Sequence, residues 1–138
     1  MTLAWCRAAT MAGVLALSLS SGANAKSGLE KWRAKEPRWK TTTQRSLNDL
    51  EGCLGSRYVG TLHTHVVPMR IENGVSYQND GDSRDFLVDV TDDGDHRTIK
   101  LWLRVYMGIT VGAKEQIEKL GRCAHPDAPE GTNFDTKS

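Results

Sequence analysis

The clearest pattern in the chain is an alternation of apolar and polar residues from Thr98 to Tyr106. Alternation with period two predicts a strand with one buried face, because successive side chains of a strand point to opposite sides. Its apolar positions are Ile99, Leu101, Leu103 and Val105. A second alternating run over 86–91 precedes it, and Asp93-Gly94 between the runs is typical of a two-residue hairpin turn.

A two-residue turn at this point fixes the register of the hairpin. It pairs Phe86 with Leu101. It also pairs Val88 with Ile99, so the apolar faces of the two strands coincide. A slip by one residue would move every apolar side chain of one strand to the opposite face. We therefore expect the register set by the two-residue turn.

A second hairpin is indicated by Asn73-Gly74, which joins a strand at 66–72 to one at 75–79. Pro68 has no backbone N–H and confines the first of these strands to a sheet edge or a bulge. A further strand is predicted at 57–64, with Tyr58 and Leu62 on one face. Together these runs predict three to five antiparallel strands.

Two helices flank the strands. The first is predicted at 43–55, from an apolar repeat of Leu47, Leu50 and Leu54 that ends at Gly55. Ser46 and Asp49 resemble a capping box, in which side chains at the helix start bond to unpaired backbone N–H groups. The second helix is predicted at 111–122, with Thr110 as its cap. Its apolar face is formed by Ala113, Ile117, Leu120 and Ala124.

Residues 1–25 have the pattern of a secretory signal peptide. Arg7 precedes an apolar run over 8–19, and Ala23-Asn24-Ala25 fits the small-residue cleavage pattern. The run is shorter than the roughly 20 residues that span a bilayer. We therefore expect an exported chain, periplasmic or secreted, that starts at Lys26 and has no transmembrane span.

Removing that segment changes the composition. Of 138 residues, 113 remain, and the apolar fraction falls from 38% to about 33%. The net charge of +1 becomes zero, because Arg7 is lost. A chain with so few apolar residues makes a small core, which excludes a large buried catalytic cavity and favours a covalent staple.

A disulfide between Cys53 and Cys123 is the expected staple. Cys6 leaves with the signal peptide, so two cysteines remain, and two cysteines in an oxidising compartment allow one intramolecular pairing. The sequence thus predicts an α+β domain over 43–124, with a small antiparallel sheet and a helix-to-helix disulfide. Both helices are expected on the same face of the sheet. A flexible tail is predicted at 125–138.

Charge is segregated along the chain. The range 26–45 carries seven basic and two acidic residues, and the range 72–95 carries eight acidic residues and one Arg. The segment 26–42 is predicted to be a basic arm or linker. Tryptophans beside cations suit anionic surfaces, so it is also a candidate binding segment. Its candidate residues are Trp32, Arg33, Arg38 and Trp39.

Other motifs have simpler interpretations. His63 and His65 would share one face of a strand and could reach one metal ion, but the further ligands are not placed by the sequence. We interpret them as polar residues of a solvent-facing strand, and we predict no metal site. The acidic cluster over 92–95 lacks the ligand series of a calcium loop and is interpreted as a turn.

The function expected from these features is non-enzymatic binding or support in the cell envelope. The sequence does not identify the ligand; the candidate partners are an envelope protein and an anionic envelope surface, and no cofactor is predicted. The alternative is a small exported hydrolase of nuclease type that uses His63 or His65 with Arg side chains.

Overall fold

A computed structural model describes residues 28–58, 66–79, 85–110 and 112–135. Within them, five strands form one antiparallel sheet in the order β1-β5-β4-β3-β2, and two short strands form a separate ribbon. The elements are α1 (Gly28–Arg33), β1 (Trp39–Thr43), α2 (Leu47–Tyr58), β2 (Val66–Ile71), β3 (Gly74–Asn79), β4 (Phe86–Asp92), β5 (Arg97–Leu103), β6 (Val105–Tyr106), β7 (Ile109–Thr110) and α3 (Ala113–Ala124). The α+β class and the antiparallel sheet are therefore confirmed.

One face of the sheet carries the hydrophobic core. The central strands β4 and β5 contribute the fully buried Val88, Val90, Ile99 and Leu101. Helices α2 and α3 pack against this face. Their core residues are Leu50, Leu54, Ile117, Leu120, Cys123 and Ala124.

The predicted disulfide between Cys53 and Cys123 is present, and it joins α2 to α3. Cys123 is fully buried in the core, whereas Cys53 is partly buried and packs against it. The bond therefore links two helices that are separated in the sequence by strands β2 to β7, and it holds them together over one face of the sheet.

The predicted register of the β4–β5 hairpin is wrong by two residues. Phe86 pairs with Leu103 and Val88 with Leu101, so the turn has four residues, 93–96. The wider turn is stabilised internally, because the Gly94 N–H donates to Asp92 Oδ1 at 3.0 Å. A shift of two residues keeps every side chain on its face, which is why the apolar pattern could not exclude it.

Asn73-Gly74 is likewise not the turn of the second hairpin. Ile71 pairs with Gly74, so the turn residues are Glu72 and Asn73, and Gly74 is the first residue of β3. A Cβ at Gly74 would lie 1.9 Å from the carbonyl oxygen of Val90. Glycine is needed there because β4 approaches closely, and not because of turn geometry. Pro68 does lie on an edge strand, as predicted.

The boundaries of the helices also differ from the prediction. Helix α2 runs from Leu47 to Tyr58, so Gly55 lies inside it, and the predicted strand at 57–64 loses its first two residues to the helix. Residues 59–64 lie outside the described part. At the start of α2, the Asp49 N–H donates to Ser46 Oγ at 3.1 Å. Thr110 is not the cap of α3, because it belongs to β7 and Gly112 precedes the helix.

Strand β1 has no counterpart in the prediction. It begins in the basic segment 26–42, ends at Thr43, and pairs Trp39 with Leu101 and Thr41 with Ile99 at the edge of the sheet. Its inward-facing positions are threonines and one tryptophan, so the strand lacks the alternating aliphatic residues that indicate β4 and β5 in the sequence. The described part of that segment is therefore integrated into the fold as α1 and β1. The described part of the predicted tail is anchored too, because Trp39 Nε1 donates to the Phe134 carbonyl at 2.7 Å.

Candidate functional site

Helix α1 covers part of the sheet face opposite the core. Its Arg33 donates from Nε to Asp89 Oδ2 at 2.7 Å and from Nη2 to Asp89 Oδ1 at 3.0 Å. The Ser76 hydroxyl donates to the same carboxylate at 2.7 Å. Just after the helix, the carbonyl of Lys35 accepts a hydrogen bond from Trp102 Nε1 at 2.9 Å. These contacts fix the N-terminal segment on strands β3, β4 and β5.

This arrangement creates a groove between the α1 segment and the end of β5, with a volume of about 700 Å³. The residues that line it come from two parts of the chain some 70 positions apart. They are Gly28, Lys31, Trp32, Lys35, Glu36, Arg38, Trp102, Leu103, Arg104, Val105 and Thr110. We call it the cationic groove, because four basic side chains and one acidic side chain line it.

The cations of the groove are not equivalent. Lys31, Lys35 and Arg104 are exposed to solvent. Arg38 is half-buried and forms an ion pair with Asp135, with Nη1 at 2.8 Å from Oδ1. Three cations therefore face solvent in the groove. An ammonium or guanidinium group in such a position can bind phosphate or carboxylate oxygens.

Arg33 lies next to the groove, but its charge is held by Asp89. The hydrogen bond to the Asp89 carboxylate raises the pKa of Arg33 above its ordinary value, and burial opposes this rise. Asp89 is nearly buried, so its carboxylate requires this partner. Arg33 positions the groove and is not free to bind a ligand.

Two tryptophans form the aromatic part of the groove. Trp32 is half-buried, and Trp102 is nearly buried with its N–H engaged by the Lys35 carbonyl. Aromatic faces beside cations offer apolar contact to the carbon skeleton of an anionic ligand. The groove thus combines charge with apolar surface.

The structure separates the four residues that the sequence grouped as an anionic-surface site. Trp32 and Arg38 both line the cationic groove. Arg33 points to Asp89, and Trp39 is buried in the core on the opposite face of the sheet. Of these four residues, the groove therefore contains Trp32 and Arg38, and the charge of Arg38 is already paired with Asp135.

Sequence reasoning did not assign Lys31, Lys35, Trp102 and Arg104 to the anionic-surface site. A signal for each pair exists in the sequence. Lys31 and Lys35 are four positions apart, the spacing of neighbours on one side of a helix, although α1 ends at Arg33 and Lys35 lies just after it. Trp102 and Arg104 are two positions apart, the spacing of neighbours on one side of a strand, although β5 ends at Leu103 and Arg104 lies just after it. Nothing in the sequence shows that the two pairs meet.

The ribbon β6–β7 lies directly beside the groove, which is partly lined by Val105 and Thr110. Its exposed apolar side chains are Val105, Tyr106, Met107 and Ile109. The sequence placed Val105 on the core face of β5, but the strand ends at Leu103 and Val105 begins the ribbon. These side chains are absent from the hydrophobic core.

A second groove of about 680 Å³ lies between β1 and the C-terminal segment. Side chains of the protein contact one another along its edge. The rings of His125 and Phe134 stack with centroids 6.4 Å apart, and the guanidinium of Arg122 lies 5.2 Å from the centroid of Phe134. Thr41 Oγ1 lies 3.2 Å from His125 Nε2. These contacts fasten the C-terminal segment to α3 and β1.

The sequence also contains two closely spaced histidines and an acidic cluster. His63 and His65 lie outside the described residues. In the acidic cluster over 92–95, Asp92 ends β4 and the other residues lie in the β4–β5 turn, where Asp93 Oδ2 accepts a hydrogen bond from the Thr98 hydroxyl at 2.7 Å. Within the described ranges, no three His, Cys, Asp or Glu side chains are grouped so that they could hold a metal ion.

Comparison of the chain with protein-family models, curated proteins and solved structures finds no match. Among the described helices, none is long and apolar enough to cross a membrane.

Proposed function

We propose that the protein is a non-enzymatic binding protein of the cell envelope that holds an anionic envelope component in the cationic groove. The observation that carries this proposal is the convergence of Lys31, Lys35 and Arg104 on one concave surface. Glu36 is the acidic side chain of that surface. Cations and tryptophans suit the binding of an anion, since lysine and arginine keep their charge at neutral pH.

The magnitude of the electrostatic attraction indicates the size of the ligand. A cation 4 Å from an anion in water contributes about 1 kcal/mol. Three exposed cations therefore contribute about 3 kcal/mol toward one negative charge, which corresponds to a dissociation constant above about 1 mM. A ligand with several charges gains this attraction repeatedly. The groove thus suits a polyanion or an anionic surface better than a single small anion.

Export is part of the proposal. The signal pattern over residues 1–25 supports it, and so does the disulfide between Cys53 and Cys123, because disulfides persist in oxidising compartments. The mass of the protein after expression in a host with a secretory pathway tests this part. We expect a chain that begins at Lys26, and a chain that retains Met1 and residues 2–25 would contradict export with cleavage.

Calorimetric titration with sodium tripolyphosphate tests the binding. We expect binding that weakens as salt rises, because the charges in the groove are exposed and therefore screened. The variant Lys31→Gln/Lys35→Gln/Arg104→Gln should lose at least about tenfold in affinity, the loss that corresponds to 1.4 kcal/mol.

The matched control removes three exposed cations elsewhere, in Lys40→Gln/Arg70→Gln/Lys114→Gln. It changes the net charge by the same amount and should weaken binding far less. Equal losses in the two variants would show that tripolyphosphate responds to net charge alone, and they would contradict a site in the groove.

A further inference from the structure

The ribbon β6–β7 exposes an unusual amount of apolar surface. The exposed fractions of its side chains are 61% for Val105, 62% for Tyr106, 86% for Met107 and 66% for Ile109. Elsewhere in the described part of the chain, the one other large apolar side chain that is exposed is Val67, at 40%. Apolar surface concentrated in this way marks a contact with another molecule or a membrane.

The turn of the ribbon presents its apolar tip at a conformational cost. Tyr106 pairs with Ile109, so Met107 and Gly108 form a two-residue turn. Both have positive φ, 49° for Met107 and 80° for Gly108. Such turns favour asparagine, aspartate and glycine, and a long apolar side chain in this conformation is uncommon. Met107 therefore does not stabilise the turn, and it does not belong to the core.

The base of the ribbon borders the cationic groove. Val105 and Thr110 line the same cavity as Lys31, Lys35 and Arg104. An apolar tip flanked by cations matches the surface of an anionic bilayer, where apolar side chains enter the acyl boundary and cations contact the phosphates.

We propose that the β6–β7 ribbon inserts into the interfacial region of an anionic lipid bilayer, with the cations of the groove on the headgroup phosphates. The inference rests on the proposed function, because it names the bilayer headgroup as the anion. It adds that the apolar ribbon contributes to the affinity, which binding of a soluble polyanion does not require.

A second copy of the chain fits this surface less well. Pairing of two ribbons would bring the Lys31, Lys35 and Arg104 side chains of both copies close together, and like charges at an interface oppose association. A stable dimer also buries about 800 Å² on each partner, from about 20–30 residues a side. The apolar part of this surface consists of four side chains.

Sedimentation of the processed protein with lipid vesicles tests the inference. Vesicles of phosphatidylglycerol are compared with vesicles of phosphatidylcholine, and all variants share one N-terminus, verified by mass. We expect binding to the anionic vesicles that is at least tenfold stronger. The variant Met107→Ser/Ile109→Ser should weaken that binding by about tenfold or more, because it removes two side chains from the acyl boundary.

Val67→Ser is the matched control, because it removes an exposed apolar side chain from the sheet edge. It should leave vesicle binding unchanged. Vesicle binding that is equal in the ribbon variant and the wild type would overturn the inference. Sedimentation velocity gives a second reading, because a wild-type dimer that the ribbon variant converts to a monomer would make the ribbon a self-association surface and would also overturn it.

Tripolyphosphate separates the two proposals. Met107→Ser/Ile109→Ser should bind tripolyphosphate with the affinity of the wild type, because the cations of the groove remain. Binding of tripolyphosphate without binding of anionic vesicles would overturn the membrane inference and leave the groove as a polyanion site. Failure to bind either probe would overturn both proposals.

Discussion

Arg33 and Asp89 form the ion pair that holds the N-terminal segment on the sheet. The exposed fractions of their side chains are 31% and 7%. Removing one partner of a fully buried pair costs about 3–5 kcal/mol, because the remaining charge is left without compensation. Since Arg33 is partly exposed, we expect Arg33→Met to lower the free energy of unfolding by about 2–3 kcal/mol in urea denaturation.

The exposed ion pair between Arg70 and Glu51 is the control for this prediction. The Arg70 side chain is 72% exposed. Arg70→Met should therefore cost less than about 1 kcal/mol. Similar losses in Arg33→Met and Arg70→Met would show that Asp89 does not need its partner.

Tyr77 provides a pH-dependent test of the core. Burial, with a smaller contribution from the Glu51 carboxylate, raises its pKa from 10.0 to about 12, and Arg70 partly opposes the rise. The folded state thus favours the neutral phenol. Its contribution to stability is complete below pH 10 and is lost as the pH rises from about 10 to about 12.

Urea denaturation of Tyr77→Phe at pH 9 and pH 11 checks this prediction. The wild type should lose more stability between these two pH values than the variant, because phenylalanine does not ionise. Tyr106→Phe is the control, since Tyr106 is 62% exposed and its removal should leave the loss in place. An equal loss in the wild type and Tyr77→Phe would assign the pH dependence to other groups.

At the scale of elements, helix α3 and the C-terminal segment meet at Gly121. A Cβ there would lie 2.3 Å from Cγ of Phe134, so the ring must move if it is added. Alanine in place of glycine ordinarily stabilises a helix by about 1 kcal/mol. Here the displaced ring outweighs that gain, and we expect Gly121→Ala to lower the free energy of unfolding by about 1–3 kcal/mol.

The sign of this effect should reverse once the ring is removed. In the background Phe134→Ala, Gly121→Ala should stabilise by about 1 kcal/mol, the helix-propensity value. Gly52 in α2 is the matched control, because a Cβ added there would have no atom within 4 Å, so Gly52→Ala should stabilise by itself. Destabilisation by Gly121→Ala in both backgrounds would contradict a role for Phe134.

Much of the sheet follows from the apolar pattern of the sequence, but its registers do not. Alternation identified β4 and β5 and the face that each buries, and the faces are correct. The predicted registers are wrong because Asp93-Gly94 and Asn73-Gly74 resemble the residues of two-residue turns. The structure instead uses a four-residue turn after Asp92 and needs Gly74 for a close backbone approach. A shift by two residues leaves every side chain on the same face, so a pattern of period two cannot reveal it.

Strand β1 shows the limit of the same reasoning. KWR and RWK are similar in the sequence, yet Trp32 lines a surface groove and Trp39 is 7% exposed in the core. The difference arises from the pairing of Trp39 with Leu101, a contact between distant positions. Local composition carries no information about it.

At the scale of the whole molecule, the disulfide compensates for the small core. Cys53 and Cys123 are 70 positions apart, and closing a loop of that length stabilises the folded state by about 4 kcal/mol in the chain-entropy account. Domains of this kind have a total stability of about 5–15 kcal/mol. We therefore expect Cys53→Ala/Cys123→Ala to lose about 4 kcal/mol in urea denaturation.

Reduction of the wild-type protein should lower its stability by a similar amount. A loss below about 1 kcal/mol in both experiments would show that the core is sufficient without the bond, contrary to what the low apolar fraction of the chain indicates.

The cationic groove belongs to this scale as well, because it exists only in the folded chain. Each of its halves has a local pattern in the sequence, since Lys31 and Lys35 have the spacing of one helix side and Trp102 and Arg104 that of one strand side, although Lys35 and Arg104 lie just beyond α1 and β5. Their meeting depends on the docking of α1 through Arg33 and Asp89. The sequence could indicate cations and tryptophans, but not which of them share a surface.

The central claim is that this groove binds an anion. It is tested most directly by the indole N–H signals in a two-dimensional ¹H–¹⁵N NMR titration with tripolyphosphate. Beyond residue 25 the chain has three tryptophans, Trp32, Trp39 and Trp102. The account predicts that the signals of Trp32 and Trp102 shift together with a common dissociation constant while that of Trp39 stays unchanged. A shift confined to Trp39, or no shift of Trp32 and Trp102 at saturating tripolyphosphate, would contradict it.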